Sequence, residues 1–322
     1  MARRSAIAAA VLALAVACVG CTAGSPGAVS RSPPGPASAG GGAGPGVITV
    51  GSFDFPESVL LAYLYAGALS ARGYPVRVLP DLGSRELVEP ALMTGLVQLV
   101  PEYTGSALEF VSLGRAHATA SVAATDTALA SWMAARGIVT ARPAAAQDAN
   151  AIVVTGATAS RYRLRTISDL GRAAPGLVFG GPPECPERPD CLPGLRRTYG
   201  LRFRAFAALD AGGPLTRQAL RAGDIGAALL FTTDPAIRVM HLVELADNLD
   251  LQSAENVIPV LRRATADRYG PGLMAALDAV SARLSTDVLT ALDAQAELDG
   301  RDPHAVARSW LRQQGLLSAG TS

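Results

Sequence analysis

The sequence predicts an α/β protein of two lobes with a ligand cleft between them, and three observations support this prediction. From residue 47 onward, short apolar runs alternate with helical patterns, which is typical of strands covered by helices. The alternation restarts at Asn150, so the strands fall into two blocks. The chain has 322 residues, which is enough for two domains of ordinary size. We expect parallel sheets with the ligand beyond the carboxyl ends of the strands.

The elements of the first block follow from apolar spacing and from helix-capping signals. Strands are predicted at residues 47–53, 75–79 and 96–100. Helices are predicted at residues 57–73, 84–95, 106–114 and 126–136. Ser84 is the expected N-cap of the second of these helices, and Gly95 ends it.

The second block begins with the apolar run NAIVVT and continues the same alternation. Strands are predicted at residues 150–155, 177–181, 202–206, 224–231, 241–247 and 256–263. Thr166 or Ser168 is expected to begin a short helix, and another helix is predicted at residues 215–223. Residues 265–315 are predicted to be helical, with helix starts at Ser285 and Asp302.

The first 46 residues are predicted to lie outside the folded body. Arg3 and Arg4 precede an apolar stretch that is too short for a stable membrane span, so residues 1–20 are predicted to be a signal peptide. Small residues before Cys21 resemble the lipobox of bacterial lipoproteins, which implies a lipid on the Cys21 sulfur. A plain secretory peptide is the alternative. Residues 21–46 are rich in Gly, Pro and Ser and are predicted to be a disordered tether.

The charge composition excludes several classes of function. The formal net charge is +1, and the charges are spread along the chain, which argues against nucleic acid as a partner. All 28 basic residues are arginine. A phosphate-binding loop of the Walker type and a pyridoxal Schiff base both need a lysine, so neither is expected. No cofactor is predicted.

Two cysteines, Cys185 and Cys191, lie in the Pro-rich stretch GGPPECPERPDCLPG. An exported chain resides in an oxidising compartment, so we predict a disulfide that closes this loop. A zinc site is the alternative, and it would need further ligands. His117, His241 and His304 are scattered singly, so no metal site is predicted.

Aromatic rings and small polar side chains occur together at the ends of three predicted strands. They are Ser52, Asp54 and Phe55, then Tyr103, Thr104 and Ser106, and then Phe231, Thr232 and Thr233. An aromatic face attracts a cation, whereas hydroxyls, helix-start N–H groups and arginines suit a carboxylate. The combination predicts a cleft for a small zwitterionic or cationic solute. The alternative is that each ring is a core residue at the edge of a lobe.

Several motifs resemble those of the osmoprotectant-binding proteins of ABC importers, the ProX-like receptors for glycine betaine, choline and carnitine. ITVGSFDFPES and LVPEYTGSALEF are similar to the family's GSKNFTEQ and DLYPEYTGT. ERPDCLPGL and LLFTTDPAI are similar to its ERPDGLPGL and YTTDGRI. TISDL also has a counterpart there, and DGRDPHAVARSWLRQQGLL resembles the family's C-terminal helix. The resemblance extends from Val47 to Leu317.

This resemblance implies a two-lobe periplasmic-binding-protein fold of type II, the Venus-flytrap fold, with a ligand cleft between the lobes. Two crossings are expected, near residues 143–150 and 247–256. Lobe 1 would then comprise residues 47–147 and 255–322, and lobe 2 residues 148–254. The resemblance implies an aromatic cage for an ammonium group, and no catalysis.

Individual site residues are carried over by position. Tyr103 matches the cage tyrosine of PEYTG, and Ser106 matches a threonine that holds the polar end of the ligand in some members. Phe231 matches the aromatic residue before TTD, and Arg188 matches an arginine that can bind a carboxylate.

The sequence departs from the family pattern at four places. Asn150 stands at the position of a second cage tyrosine, and the fourth aromatic falls near Glu255 or Asn256. Phe53 replaces a lysine, and Ser58 replaces a glutamine. We expect a more polar pocket in which Asn150 and Asn256 take part, and which accepts either glycine betaine or a hydroxylated or larger solute.

The predicted function is capture of a quaternary ammonium osmoprotectant, such as glycine betaine, for an ABC permease and its ATPase. The protein would be a lipid-anchored monomer at the outer face of the cytoplasmic membrane. The alternatives are the same fold retuned to another polar or aromatic solute, a metal-ion receptor, a structural lipoprotein and a secreted hydrolase. A hydrolase needs paired carboxylates or an activated nucleophile. Glu57 and Glu102 are instead expected to stabilise the first turns of helices.

Overall fold

The computed structural model describes residues 46–317. The predictions for the signal peptide, for Cys21 and for nearly all of the tether therefore lie outside the described residues. Within the described range, no helix is long and apolar enough to cross a membrane.

A first sheet of five strands draws on both ends of the described chain. Its strands are β1 (Ile48–Gly51), β2 (Val76–Leu79), β3 (Leu99–Tyr103), β4 (Ile138–Thr140) and β10 (Val257–Arg262). Their order across the sheet is β2-β1-β3-β10-β4. β1 runs parallel to β2 and β3, whereas β10 is antiparallel to β3 and β4.

A second sheet of five strands is built from the intervening part of the chain. Its strands are β5 (Asn150–Thr155), β6 (Val178–Gly181), β7 (Ala205–Ala208), β8 (Ala227–Phe231) and β9 (Leu242–Glu244). Their order is β7-β6-β8-β5-β9. β6 runs parallel to β7 and β8, and β5 is antiparallel to β8 and β9.

The expectation of parallel sheets is wrong, because each sheet contains a strand that arrives directly from the other lobe. β5 begins at Asn150, opposite Phe231 at the end of β8. β10 begins at Val257, opposite Tyr103 at the end of β3. A strand that starts where its neighbour ends runs away from that edge, and it is therefore antiparallel.

Twelve α-helices cover these sheets within residues 46–317. In the first part of the chain they are α1 (Pro56–Ser70), α2 (Arg85–Thr94), α3 (Thr104–Ser112) and α4 (Val122–Ala134). Around the second sheet they are α5 (Gly156–Tyr162), α6 (Leu192–Tyr199), α7 (Pro214–Ala222) and α8 (Ala236–Val239). The last four are α9 (Arg263–Tyr269), α10 (Pro271–Ser281), α11 (Thr286–Asp293) and α12 (Pro303–Gln313). Shorter 3₁₀ helices span Ile167–Arg172 and Ala174–Gly176, and a π-helical turn spans Ala294–Leu298.

Capping predictions agree with the structure at several helix ends. Gly95 follows α2 with a φ of 87°, a conformation that glycine adopts without steric cost. The side chains of Ser285 and Asp302 accept N–H bonds at the starts of α11 and α12. Thr166 and Asp169 form a capping box at the start of the 3₁₀ helix that was predicted to begin at Thr166 or Ser168.

The boundaries of β3 differ from the prediction. The backbone N–H groups of Leu96 and Val97 donate to Ala91 O and close the end of α2, so the strand begins at Leu99. It continues through Pro101, which faces Pro259 in β10. Thr104 N–H donates to Asn256 O, so the alternation of paired residues leaves the two prolines at a position where β3 and β10 need no N–H donor between them.

Three other boundaries also differ. β4 is not predicted at all, since it has only three residues and follows the predicted helix directly. α4 begins at Val122, because the Ser121 side chain accepts the Ala124 N–H and caps the helix four residues before the predicted start. β7 begins at Ala205, where it pairs with Val178 of β6.

Separate hydrophobic cores stabilise the two sheets. α1 lies inside the first core, where Leu60, Leu61, Leu64 and Tyr65 are fully buried. The second sheet is apolar on both faces: Ile152 and Phe179 pack on one side, and Val153 and Leu230 pack on the other. Burial of both faces is typical of a sheet sandwiched between helices.

Candidate ligand-binding site

A cavity of about 320 Å³ lies where the ends of β1, β3 and β8 meet. Its walls come from both sheets, from the loop after β1 and from the Pro-rich segment after β6. The residues that line it, which we call the cavity wall, are Phe53, Asp54, Phe55, Ser84, Arg85, Tyr103, Ser106, Asp148, Asn150, Pro182, Pro183, Glu184, Cys185, Arg188, Asp190, Cys191, Leu209, Asp210, Ala211, Leu229, Phe231 and Glu255. A cavity of this size is in the range of small-molecule sites.

Three aromatic rings from both sheets pack against one another at the cavity wall. The Phe55 ring centroid lies 5.6 Å from that of Phe231 and 6.0 Å from that of Tyr103. Phe55 follows β1 and Tyr103 ends β3, whereas Phe231 ends β8 in the second sheet. A cation in the cavity beside this group of rings would meet aromatic surface from both lobes.

Tyr103 is fixed by hydrogen bonds at both ends. Its hydroxyl donates to Glu57 Oε1 at 2.5 Å, and its backbone N–H donates to Glu102 Oε2 at 2.9 Å. Burial and the Glu57 carboxylate raise the pKa of the Tyr103 phenol well above its ordinary value, so the ring stays neutral. The ring is therefore held rigidly for contact with a ligand.

Buried carboxyl groups lie behind the rings. Thr233 Oγ1 lies 2.6 Å from Glu57 Oε2 and 2.7 Å from Asp148 Oδ1, and Asp293 adds a third carboxyl group. Burial raises the pKa of Glu57, Asp148 and Asp293. Repulsion from Glu57 raises the pKa of Asp148 and Asp293 further, whereas hydrogen bonds with Asp293, Thr233 and Tyr103 oppose the rise at Glu57. The buried cluster therefore resists full ionisation.

Both arginines of the cavity wall already have carboxylate partners. The buried Arg85 guanidinium makes two bonds of 2.9 and 3.0 Å to Glu102. Arg188 lies 3.5 Å from Glu86 across the mouth of the cleft. The prediction that Glu102 lies in the first turn of a helix is wrong, because Glu102 belongs to β3 and serves as the counter-ion of Arg85.

Glu255 and Asp190 add negative groups on the side near α3. Glu255 accepts from Ser106 N–H at 3.0 Å and from Ser106 Oγ at 2.9 Å. Asp190 accepts from Asn150 Nδ2 at 2.7 Å. Burial raises the pKa of Glu255 to about 7, and repulsion from Asp190 contributes to the rise.

The structure brings seven of the thirteen predicted ligand-binding residues to the cavity wall. These are Asp54, Phe55, Tyr103, Ser106, Asn150, Arg188 and Phe231. Six of them lie at strand ends or in loops, and Ser106 lies in the first turn of α3.

The other six predicted residues are not on the cavity wall, because their polar groups bond within the protein. Three bond to backbone near the first sheet. Ser52 accepts from Asp81 N–H, Ser58 accepts from Phe53 N–H, and Thr104 donates to Ala254 O. The rest lie near the crossings. Thr232 accepts from Ala149 N–H, Thr233 contacts Glu57 and Asp148, and Asn256 donates to Ala144 O.

Sequence reasoning missed six charged residues of the cavity wall, because the sequence pattern does not distinguish them from surface charges. They are Arg85, Asp148, Glu184, Asp190, Asp210 and Glu255. Arg85 directly follows the expected N-cap Ser84, and a charged residue in the first turn of a helix is usually exposed to solvent. Asp148 and Glu255 lie on the two crossings, whose backbones are joined by Asp148 N–H donating to Glu255 O at 3.0 Å. Asp190 lies inside the cysteine loop, and no spacing rule singles it out.

The loop that contains Cys185 and Cys191 forms part of the cavity wall. Cys185 and Cys191 are joined as a disulfide with their Cα atoms 5.2 Å apart. Both cysteines are buried and lie on the cavity wall. In residues 46–317 no three His, Cys, Asp or Glu side chains stand together in a way that could hold a metal ion.

Comparison with known families identifies the chain. Residues 46–313 match the model of the substrate-binding domain of the ABC-type glycine betaine transport system. The chain belongs to this family. Members of the family are substrate-binding proteins of importers and not enzymes, which excludes the hydrolase alternative.

Three individual proteins are similar to this chain over most of its length. A glycine-betaine-binding protein of Pseudomonas aeruginosa is 29% identical over 284 residues, which is 85% of this chain and 89% of that protein. The glycine betaine-binding protein YehZ of Escherichia coli is 26% identical and spans 83% of this chain and 90% of its own length. The ergothioneine transport permease/binding protein EgtU of Helicobacter pylori is 23% identical over 81% of this chain and 46% of that protein.

Solved structures confirm the two-lobe periplasmic-binding-protein fold. A glycine betaine/carnitine/choline ABC transporter structure has a TM-score of 0.68 at 21% identity and covers 84% of this chain and 100% of that one. Apo YehZ has a TM-score of 0.61 at 26% identity and covers 84% of this chain and 99% of that one.

Proposed function

We propose that this protein captures a small quaternary ammonium solute, such as glycine betaine, and delivers it to an ABC permease. The observation that carries the proposal is the meeting of Phe55, Tyr103 and Phe231 from two lobes at the wall of one cavity. A quaternary ammonium group cannot donate hydrogen bonds, so ring faces are its natural partners. A desolvated cation–π contact contributes about 2 kcal/mol.

The ligand site that we propose consists of the seven predicted residues on the cavity wall. Phe55, Tyr103 and Phe231 would enclose the ammonium group. Asp54, Ser106, Asn150 and Arg188 would border the remainder of the ligand. Ser52, Ser58, Thr104, Thr232, Thr233 and Asn256 would act indirectly, since their hydrogen bonds fix the loops that carry the wall.

We also propose how the protein is placed in the cell envelope. Lipid on Cys21 would anchor it as a monomer to the outer face of the cytoplasmic membrane, and residues 21–46 would form the tether. The Cys185–Cys191 disulfide suits an oxidising compartment. Residues 47–147 and 255–322 would move as lobe 1, and residues 148–254 would move as lobe 2.

A second candidate is a different small polar or aromatic solute bound by the same fold. Asn150 supports it, because the resemblance places a cage tyrosine at this position and Asn150 instead bonds to Asp190. A cage with one ring fewer encloses an ammonium group less completely. The relative named as an ergothioneine-binding protein makes an aromatic ligand a reasonable second choice.

Calorimetric titration distinguishes these candidates. Wild-type protein would be titrated with glycine betaine, choline, carnitine and ectoine, and with a panel of sugars and aromatic solutes. Phe231→Ala is expected to weaken binding of the ammonium ligand by at least about tenfold, because one face of the cage is lost.

Tyr162→Ala is the matched control, since Tyr162 is a half-exposed ring on α5 that is not on the cavity wall. It should bind as the wild type does. Failure of every ammonium compound together with a response to another solute would reject the primary function in favour of the second candidate.

A further inference from the structure

We infer that Glu255 occupies the place of a ligand carboxylate, so that the cavity selects quaternary ammonium ligands with a net positive charge over zwitterions. The inference rests on the proposed function and concerns the end of the ligand that lies away from the ammonium group. Three groups of observations carry it: the start of α3, the engaged arginines, and the charge of the cavity wall.

The start of α3 is an anion site that the protein fills itself. Helix N-termini present N–H groups without intrahelical partners, and they bind carboxylates well. Ser106 is the third residue of α3, and it gives both its N–H and its hydroxyl to the Glu255 carboxylate, at 3.0 and 2.9 Å. No donor of Ser106 is left for the carboxylate of a ligand.

The contact between Glu255 and α3 is too close for a second carboxylate to enter. A Cβ atom added to Gly105 would lie 2.7 Å from Glu255 Oε1 and 2.2 Å from Ser253 Oγ. Ser253 also donates to Glu255 Oε1 at 3.2 Å. Glu255 is 5% exposed, so it is packed against the helix start as a fixed part of the wall.

The other donors suited to a carboxylate are also engaged. Arg85 makes two bonds to the buried Glu102, and Arg188 pairs with Glu86. These two arginines are the basic residues of the cavity wall as described. The acidic residues of the same wall are Asp54, Asp148, Glu184, Asp190, Asp210 and Glu255.

This arrangement treats the two kinds of ligand differently. The carboxylate of a zwitterion would approach Glu255 and Asp190, while Ser106, Arg85 and Arg188 already bond to carboxylates of the protein. Like charges in a partly desolvated site repel strongly. A hydroxyl group in the same place can donate to either carboxylate. The wall therefore favours a cationic ammonium alcohol over an ammonium carboxylate.

Glu255 also makes this selection dependent on pH. Its pKa is raised to about 7, chiefly by burial and also by repulsion from Asp190, whereas the hydrogen bonds from Ser106 of α3 and the charge of Arg85 of α2 oppose the rise. Above pH 7 the group becomes negative and attracts a cation more strongly. The affinity for a cationic ligand should therefore rise as the pH rises through about 7.

The test is calorimetric titration of the whole protein with choline and with glycine betaine at pH 8. We expect the wild type to bind choline at least about tenfold more tightly than glycine betaine, given the strength of a close charge pair. Glu255→Gln should lose most of this preference and its pH dependence. Glu255→Ala frees the Ser106 donors and should bind glycine betaine more tightly than the wild type does.

Glu109→Gln is the matched control. Glu109 also has a pKa raised to about 7, chiefly by burial and then by Asp190, but it is not on the cavity wall. It should keep the preference of the wild type. Should Glu255→Ala unfold, Glu255→Gln still offers Ser106 an amide oxygen and decides the question alone.

The outcomes separate the two proposals. Equal or tighter binding of glycine betaine by the wild type, with an unchanged ratio in Glu255→Gln, overturns the inference and leaves the proposed function standing. Binding of neither ligand overturns both.

Discussion

At the scale of single residues, the unusual feature is the concentration of buried acids behind the aromatic cage. Glu57 and Asp148 share the Thr233 hydroxyl, while the Asp293 carboxyl group is buried against Glu57 and accepts no N–H or hydroxyl bond from the described residues. Burial and the repulsion of Glu57 raise the pKa of Asp293 well above 3.8. A carboxyl group of this kind is neutral in the folded protein and ionised in the unfolded chain at neutral pH.

Asp293→Asn should therefore stabilise the protein at neutral pH. The folded pKa is the higher one, so the wild type loses stability as the pH rises above 3.8, whereas the variant does not. The difference in unfolding free energy should be small near pH 4 and grow by about 1.4 kcal/mol per pH unit until the raised pKa is passed.

Urea unfolding at several pH values measures this difference. Asp287→Asn, an exposed acid on the same helix, is the control and should show no such trend. A stability difference that does not change with pH would contradict the assignment of Asp293 as a buried neutral acid.

At the scale of elements, the site depends on how α2 is joined to β3. Arg85, the first residue of α2, makes two bonds to Glu102 in β3, and its guanidinium lies 5.0 Å from the centre of the Phe53 ring. The pair thus ties a helix start, a strand and the loop after β1 together at the cavity wall. A buried pair is costly to break, because the remaining charge has no partner.

Arg85→Ala should lower the free energy of unfolding by about 3–5 kcal/mol, because Glu102 would be left buried and uncompensated. The double variant Arg85→Met, Glu102→Gln should recover most of the loss. Chemical unfolding checks both expectations.

Arg142→Ala provides the control, since Arg142 is exposed and pairs with Asp278 at 3.5 Å. Exposed pairs contribute about 0–1 kcal/mol. A loss for Arg85→Ala as small as the loss for Arg142→Ala would show that the buried pair does not stabilise this part of the fold.

At the scale of the whole molecule, the contacts that join the lobes are made by residues beside the cavity. Phe55 meets Phe231, Thr233 bonds to Glu57, and Arg188 pairs with Glu86. Arg217 of α7 likewise contacts Glu297 in the π-helical turn. Ligand contact and lobe contact therefore involve the same elements, so binding of a ligand and closure of the lobes should stabilise one another.

The sequence was sufficient for the two blocks of strands and for the aromatic strand ends, because both depend on local patterns. Phe55, Tyr103 and Phe231 each lie where an apolar run ends. This position can be recognised in the sequence of one lobe without knowledge of the other lobe. The direction of β5 and β10 in their sheets could not be predicted from local pattern. Each strand enters its sheet directly from the other lobe, and this entry makes it antiparallel to its neighbours.

The polar part of the site was less predictable, for a physical reason. Ser52, Ser58 and Thr104 carry hydroxyl groups that could bind a ligand, but these hydroxyls form hydrogen bonds with nearby backbone groups instead. Short hydroxyl side chains bond locally whenever a backbone partner is in reach. Glu255 contacts Ser106 across 149 positions in sequence, so only the folded chain shows that it closes the anion site.

The most direct test of the central claim compares ligands that differ only at the ammonium nitrogen. Choline and glycine betaine would each be titrated into the wild-type protein beside the analogue in which carbon replaces that nitrogen. The analogue of choline is neutral and that of glycine betaine is an anion, so each pair differs by one positive charge while shape and apolar area are preserved. We predict that at least one ammonium ligand binds about tenfold or more tightly than its carbon analogue. Equal affinity within both pairs would contradict the account of Phe55, Tyr103 and Phe231 as a cage for a cation.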